Sequence, residues 1–572
     1  MRVSYPRTPH LPWSPGIGAD DVRAASLDAL RGHEVVVTEK LDGENTTLYR
    51  DGLHARSLDS GHHPSRAWVK GLQGRIGPGI PVGWRVCGEN LHARHSLAYR
   101  ELDSWFYGFS VWDDRDRCLD WDLTVHRLAE LGVPAPPVLW RGVFDERALR
   151  ALRLDTERQE GYVVRTVAGF PRAEFGQRVA KWVRPRHVRT DTHWMYAPVV
   201  ENGLGPAAPL WAVRSGAAPD GPGLAAAVGL DGEVSGARPA EVADRLDALG
   251  RTGGHRLAGV LAVLLHGHHR AALAAALVGP LGLPTARRVA DLVGLHPHLT
   301  REHPDEHRRA GLVRLAAAAD LGVLHAVAAT LAADQAARTQ VDWSALHAEE
   351  AELLGPAPLS ALRTGLRERL ADLDPEAADR IWAEARDSFA AGRIGTAEEA
   401  VAAGWRYRGG QFPRLVQLVG PSGSGKSAFA AGLPTDWTRI SLDDLRGRRG
   451  DRADQRDNAE VLRAGLARLD EELRPGRTVV WDATSLNPHQ RGVVGAVAAR
   501  RDALVTHAVL LVGEAELRRR NAVRPHPVPD QVLTAQLHRF QPPYPGQAHR
   551  TWYPGPDGTL GDTAGTIDAK DP

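Results

Sequence analysis

Only five of the 71 basic residues in this 572-residue chain are lysines, at positions 40, 70, 181, 426 and 570; the rest are arginines. Arginine stays charged and cannot act as an amine nucleophile, whereas lysine can lose its proton and attack, or serve as a compact point charge on phosphate. Each lysine is therefore a candidate for chemistry. Lys426 belongs to Gly420-Pro-Ser-Gly-Ser-Gly-Lys-Ser427, a complete Gly-x-x-x-x-Gly-Lys-Ser pattern placed after the apolar run Leu415–Val419. Between a buried strand and a helix, such a loop cradles phosphates. The backbone around Gly420, Ser422, Gly423, Ser424 and Gly425 wraps the phosphate oxygens, and Lys426 reaches the β and γ phosphates. Ser427 ligates the metal, so ATP with Mg2+ (or Mn2+) is the expected occupant.

Three downstream segments extend this site. Ile440-Ser-Leu-Asp443-Asp-Leu-Arg446 sets a carboxylate just past a second strand, where a general base would meet an acceptor hydroxyl. Val479-Val-Trp-Asp482 ends a third strand in a polar group, and Arg520 and Arg524 stand four apart on one helical face. Together, over residues 412–545, these resemble the kinase module of phage polynucleotide kinase. The resemblance implies that Asp443 is the base for a 5′-hydroxyl and that Arg446 contacts the acceptor phosphate. It further implies that Arg520 and Arg524 stabilise the transferring phosphoryl group, with Asp482 helping to place the acceptor.

Lys40 lies in Thr38-Glu39-Lys40-Leu-Asp42-Gly43-Glu-Asn45 after a β-rich run. Partners follow in order: Arg56; Cys87-Gly-Glu89; Phe109 within an aromatic strand; Gln159-Glu160-Gly-Tyr-Val-Val-Arg165; and Val179-Ala-Lys181-Trp-Val-Arg184. This series resembles the motifs of covalent nucleotidyltransferases, most closely the ATP-dependent RNA ligases, across the first 200 residues. By that resemblance Lys40 attacks the ATP α-phosphate to give a lysyl-AMP intermediate. Its amine must then be neutral, and neighbouring cations, the metal and other basic groups, are expected to depress its pKa. Glu39, Asp42, Gly43 and Glu89 join the nucleotide-binding set, and Glu160 is the metal partner. Phe109 stacks on adenine, Lys181 neutralises the α-phosphate, and Arg56 holds a phosphate or the RNA end. The family's last motif usually has two lysines one residue apart. Here Trp182 and Val183 follow Lys181, which leaves Arg178 or Arg184 as the second cation. Arg178 to Arg189 contains five basic residues and no acid. With Trp182 among them, a backbone-tracking surface with stacking is expected.

These residues need elements to hold them. Short β runs at Glu34–Thr38, Trp84–Cys87, Trp105–Trp112 and Gly161–Arg165 predict an α+β nucleotidyltransferase (ATP-grasp-like ligase) domain over residues 1–205. Residues 206–408 read as a Gly/Ala/Pro-rich linker and an all-α middle domain, and 409–572 as an α/β P-loop kinase domain. No second β-barrel of the kind that DNA ligases and capping enzymes append is expected, which favours RNA as acceptor. The middle segment holds ten histidines. It faintly resembles the HD phosphohydrolase fold, but His266 is followed by Gly267 and not aspartate, so a structural, RNA-positioning role is expected. Gly555-Pro-Asp-Gly-Thr-Leu560 reads as a turn.

Composition sets outer bounds. The chain is 43% hydrophobic with a net charge of only +1, so any nucleic-acid surface must come from local clustering of arginine. The longest apolar run, Leu257–Leu265, is far short of a bilayer span, and two cysteines cannot build a disulfide framework. A cytoplasmic multidomain enzyme with no membrane partner is expected. Its partners would be RNA with 5′-hydroxyl or 5′-phosphate and 3′-hydroxyl ends, transfer RNA among the candidates. The expected function is end healing and sealing, by phosphorylation of a 5′-hydroxyl and ligation through Lys40. Two alternatives stand beside it: a DNA-end kinase and ligase, and a regulatory NTP-binding RNA-end sensor with a decayed active site.

Overall fold

A computed structural model describes residues 2–18, 21–58, 61–185, 198–230, 238–302, 305–447, 458–524, 527–555 and 558–568. The chain forms two compact units, the first comprising residues 1–235 and 243–260, the second 236–242 and 261–572.

The first unit is built on two antiparallel sheets. Its strands are β1 (Glu34–Lys40), β2 (Glu44–Tyr49), β3 (Gly52–Ala55), β4 (Arg85–Asn90), β5 (Phe106–Trp112), β6 (Arg117–Cys118), β7 (Val138–Val143), β8 (Gly161–Thr166), β9 (Phe170–Pro171) and β10 (Val179–Val183). One sheet has the order β10-β8-β1-β7 and the other β3-β2-β4-β5-β6-β9. Alternation along a strand decides which side chains share a face. Val35 and Val37 of β1 enter a core with Leu11, Leu30, Tyr162, Val164 and Ala180. Thr38 and Lys40 must then face the opposite side. Thr38 pairs with Val163, and Val163 with Lys181, so both lysines project from the same face. Val163 belongs to the second apolar cluster, with Cys87, Trp112, Phe170 and Phe175. Two rigid, buried walls thus flank the lysines.

The Gly/Ala/Pro stretch read as linker folds, in its described part, into helices Ala208–Arg214 and Gly221–Ala227. Each has proline in its first turn, and Asp220 caps the second by accepting from Gly223 N at 3.2 Å. Leu210, Val213 and Leu224 are buried, which composition alone did not reveal.

The second unit holds a six-stranded sheet of order β12-β13-β11-β14-β15-β16, from β11 (Arg414–Val419), β12 (Thr438–Ser441), β13 (Thr478–Asp482), β14 (Leu504–Val509), β15 (Arg550–Pro554) and β16 (Leu560–Ala564). The first five run parallel and β16 returns antiparallel. Leu415, Leu418, Val419 and Val479 are fully buried, as a strand covered on both faces requires. The turn expected at Gly555–Leu560 joins β15 to β16, with Gly555 N donating to Thr559 O at 2.7 Å; Pro556 and Asp557 lie outside the described residues. Helices from Leu283–Leu295 to Ala397–Ala403 belong to the same unit. Arg550 of β15 pairs with Asp379 at 3.0 Å and Glu376 at 2.6 Å, and Arg287 with Asp562 at 3.0 Å. Among the middle histidines, His325 bridges Leu321 O and Ser344 Oγ, and His266 contacts Val263 O. Among the described residues, no cluster of three or more His, Cys, Asp and Glu side chains could hold a metal, and no single helix is long and apolar enough to cross a membrane.

Candidate active sites

Lys40 ends β1 opposite Gly161, the first residue of β8. A Cβ at Gly161 would sit 2.0 Å from Trp182 O, so only glycine lets β10 approach here. The preceding residue, Glu160, is buried and forms an ion pair with Lys40 Nζ. Beyond Lys40 the chain turns at Asp42-Gly43. Asp42 Oδ2 accepts from Leu97 N at 2.7 Å, Asp42 N donates to the Tyr99 hydroxyl at 2.9 Å, and Gly43 N donates to Glu89 Oε1 at 3.2 Å. Gly43 also needs to be glycine, since a Cβ would lie 2.5 Å from Asn90 O. A buried bidentate pair, Arg66 with Glu44 at 2.8 and 2.5 Å, anchors the start of β2. The result is a lysine held among carboxylates by backbone on three sides.

Burial tends to lower the Lys40 pKa, but Glu160, Glu89 and Asp42 outweigh it and hold the amine above its ordinary value. The protein groups that dominate here are anions, so the resting amine is charged, and the lowering expected for attack would fall to a bound metal among the cations. Burial, reinforced by Glu160 and Asp42 against the opposing Lys40, pushes Glu89 up to about 8. A divalent cation fits this donor set, because it would satisfy crowded carboxylates that are otherwise forced toward protonation. Glu160 and Glu89 would hold it.

Lys181 is held by Asp21 at 3.3 Å, and burial lowers its pKa despite that partner. Asp21 also contacts His10 Nε2 at 3.2 Å. The N-terminal segment lies along β10, with Leu11 N donating to Lys181 O at 2.8 Å. Phe109 lies edge-on to Tyr5, with ring centroids 5.2 Å apart. Tyr5, His10 and Asp21 carry no periodic or motif signal, and sequence reasoning missed them. Glu39 sits on the other face of β1 from Lys40 and accepts from Gln159 Nε2 at 3.1 Å. Arg56 is exposed just past β3.

The second cation does not come from Lys181's own face of β10, where the next position is Val183. Arg178 is engaged by Glu174 and Ala29 O, and the buried Arg184 by Thr156 O. Trp182 likewise turns away from Lys40 and stacks on Tyr162 at 5.6 Å and 4°, so it is not a platform for bases beside Lys181. Arg186 and Arg189 lie outside the described residues, as does Lys570; Lys70 is exposed on helix Ala67–Ile76.

In the second unit, Gly420, Gly423 and Gly425 take positive φ of 154°, 85° and 100°, which curls the loop around a hollow. Lys426 Nζ turns back onto Gly420 O at 2.8 Å and Pro421 O at 2.7 Å. Burial lowers its pKa to about 8, although Asp482 and Asp443 oppose the shift. Ser427 Oγ lies 3.4 Å from Asp482 Oδ2 at the end of β13. A hydroxyl and a carboxylate so placed could together hold a divalent metal, a role for Asp482 that sequence reasoning did not assign. Arg439 also holds Asp482, with Nε at 3.0 Å. Asp443 and Arg446 pair at 2.5 Å on the short helix Leu442–Gly447 directly after β12. The helix Glu514–Ala522 closes over the loop: Arg520 Nη1 is 3.6 Å from a Cβ built on Gly425, and Arg524 is close enough to lower the Lys426 pKa. Asp443 and Arg524 thus lie within electrostatic reach of Lys426, Arg520 lies beside Gly425, and Arg446 is placed by its pairing with Asp443.

Comparisons with known proteins agree with this division. Residues 33–183 match the RNA ligase family and residues 415–543 the AAA domain family. No curated protein matches the chain. Among solved structures, a Pnkp1/Rnl/Hen1 RNA repair complex is 21% identical over 24% of this chain and 49% of its own, with a TM-score of 0.21. A Naegleria gruberi RNA ligase mutant with AMP and Mn is 18% identical over 28% and 52%, at 0.22. A Sinorhizobium meliloti gluconokinase is 21% identical over 23% and 77%, at 0.17. The chain thus spans about half the length of the first two. It carries an RNA ligase domain of nucleotidyltransferase type, a helical middle region, and a P-loop domain of the AAA family.

Proposed function

We propose that this chain heals and seals broken RNA, using ATP twice. In the P-loop domain, Asp443 accepts the proton of an RNA 5′-hydroxyl while that oxygen attacks the γ-phosphorus. The bond to the β-bridging oxygen breaks, ADP leaves, and Arg520, Arg524 and Lys426 hold the phosphoryl oxygens. In the ligase domain, the Lys40 ammonium first gives a proton to its ion-pair partner Glu160, and the neutral amine attacks the α-phosphorus of a second ATP. A P–N bond forms as the bond from the α-phosphorus to the α,β-bridging oxygen breaks, pyrophosphate leaves, and the nitrogen sheds its second proton to solvent. AMP is then transferred to the new 5′-phosphate, and attack by a 3′-hydroxyl releases it as the phosphodiester forms. Magnesium or manganese, when bound by Glu160 and Glu89 or by Ser427 and Asp482, supplies neutralisation of phosphate charge.

One observation carries this reading: a single chain holds both a lysine nucleophile buried among carboxylates and a phosphate loop with a carboxylate at the neighbouring strand end. The product of the second site is the substrate of the first. The test uses the whole chain. With α-labelled ATP and metal, covalent label should appear and Lys40→Ala should abolish it. With γ-labelled ATP and a 5′-hydroxyl oligoribonucleotide, label should enter the RNA and Lys426→Ala should abolish that. Persistence of either label in its variant removes the corresponding half. Equal sealing of RNA and DNA nicks at fixed salt would count against RNA as the acceptor.

A further inference from the structure

The second unit holds a half-open cavity of about 700 Å3 between the helices Asp305–Ala316 and Pro375–Ala390 on one side, and helix Pro488–Arg500 with β14 on the other. None of residues 420–427, Asp443, Asp482 or Arg520 lines it, so it is separate from the phosphate loop. Its walls carry four arginines, Arg314, Arg380, Arg386 and Arg491, against two aspartates, Asp387 and Asp502. Arg380 is matched by Asp502 at 2.6 Å. The hydrogen bonds of Arg386 and Arg491 go to backbone carbonyls, His549 O and Gly565 O for the first and Ser485 O and Gln541 O for the second, and Arg386 also lies over the Trp382 ring at 5.6 Å. Arg386 Nε is buried without a partner, as is Nδ1 of His507, which is 5% exposed. Arg314 stands exposed at the rim. His549 Nδ1 accepts from Val505 N at 3.0 Å, which leaves Nε2–H as its donor.

A buried guanidinium whose hydrogen bonds go only to carbonyls is costly unless an anion completes it. Burial lowers Arg386 to about 10 against the opposing Asp387 and Asp379, and, reinforced by Arg270, lowers Arg491 to about 10. His507 and His549 are driven by burial to about 3; they are neutral and present donors or acceptors, not charge. The donors are planar, multiple and fixed, as recognition of phosphate oxygens requires. The volume is that of a small-molecule site.

We infer that this cavity binds a phosphomonoester carried on a nucleoside-sized group, with Arg386 and Arg491 as the cations of its walls and Arg314 at the entrance. The shared chemistry has two sources, a free nucleotide or the phosphorylated end of an RNA chain. The inference is independent of the healing and sealing reading.

The test titrates the full chain carrying Lys40→Ala and Lys426→Ala, which disables the other two phosphate sites, with inorganic phosphate, AMP and a 3′-phosphorylated tetraribonucleotide in calorimetry. One site should remain. Arg386→Gln should weaken it at least tenfold, with partial rescue by Arg386→Lys. Arg314→Gln, on the exposed rim, should weaken it several-fold without affecting folding. Saturation by AMP but not by the tetranucleotide identifies a free nucleotide, and the reverse identifies an RNA end. If no probe binds, or if binding is the same in Arg386→Gln and Arg314→Gln as in the parent, the inference is overturned.

Discussion

Replacing Glu160 with Gln should make Lys40 more reactive as an amine while making the ligase worse. Lys40 Nζ and Glu160 form an ion pair with side chains only 22% and 9% exposed. At an effective dielectric constant near 20, unit charges about 4 Å apart attract by roughly 4 kcal/mol. Glu89 and Asp42 remain in the variant, and the glutamine oxygen still accepts a hydrogen bond, so about half of that attraction is lost. A loss of about 1.4–2.8 kcal/mol corresponds to about a ten- to hundredfold larger fraction of neutral amine at pH 8. The assay needs neither ATP nor metal. The folded chain is pulsed with a neutral acylating reagent across a pH series, and the Lys40 peptide is quantified by mass spectrometry, with exposed Lys70 as internal reference. Wild-type Lys40 should acylate more slowly than Lys70 at every pH below the ordinary lysine range. Glu160→Gln should reverse that order, and saturating magnesium should move the wild type in the same direction. Formation of lysyl-AMP should nonetheless fall, because the variant lacks a metal ligand and a proton acceptor. If Lys40 is already faster than Lys70 in the wild type, or if Glu160→Gln leaves the ratio unchanged, the electrostatic account of the resting nucleophile is wrong.

Three further outcomes follow from the same geometry. Glu89 titrates near 8 in the folded protein but in the ordinary carboxylate range when unfolded, so within that window the folded state retains a proton that the unfolded state has released. Stability of the ligase unit should therefore fall as pH rises from 5 to 8, by up to about 1.4 kcal/mol per unit; Glu89→Gln should flatten the slope in denaturant unfolding monitored by hydrogen exchange in β4. Asp443→Ala should reduce 5′-hydroxyl phosphorylation about 10²- to 10⁴-fold, the range for a general base, with ATP binding retained. A kinase rate within a factor of three of wild type would remove Asp443 from that role. Gly161→Ala should destabilise the four-stranded sheet by about 1–3 kcal/mol or more, since its Cβ meets Trp182 O at 2.0 Å. A thermal midpoint equal to wild type would show that β10 can move away.

The local chemistry was legible in the residue order. The phosphate loop requires a contiguous pattern of glycines, a lysine and a serine between strand and helix, and both the pattern and the strand Arg414–Val419 are where periodicity set them. Lys40 was marked by scarcity of lysine and by its ordered partners, and strands β1, β4, β5 and β8 fall on the expected runs. What depended on tertiary structure was everything decided by a neighbour distant in the chain. Asp21 meets Lys181 from 160 residues away, and Asp482 meets Ser427 from 55, through sheet order and not through spacing. That carboxylates dominate the field at the resting Lys40 amine was not legible either, because sequence shows which groups are present but not which of them burial packs against the nitrogen. Trp182 looked like a stacking platform among arginines; strand alternation turns it onto Tyr162, because one residue along a strand is the difference between two faces of a sheet.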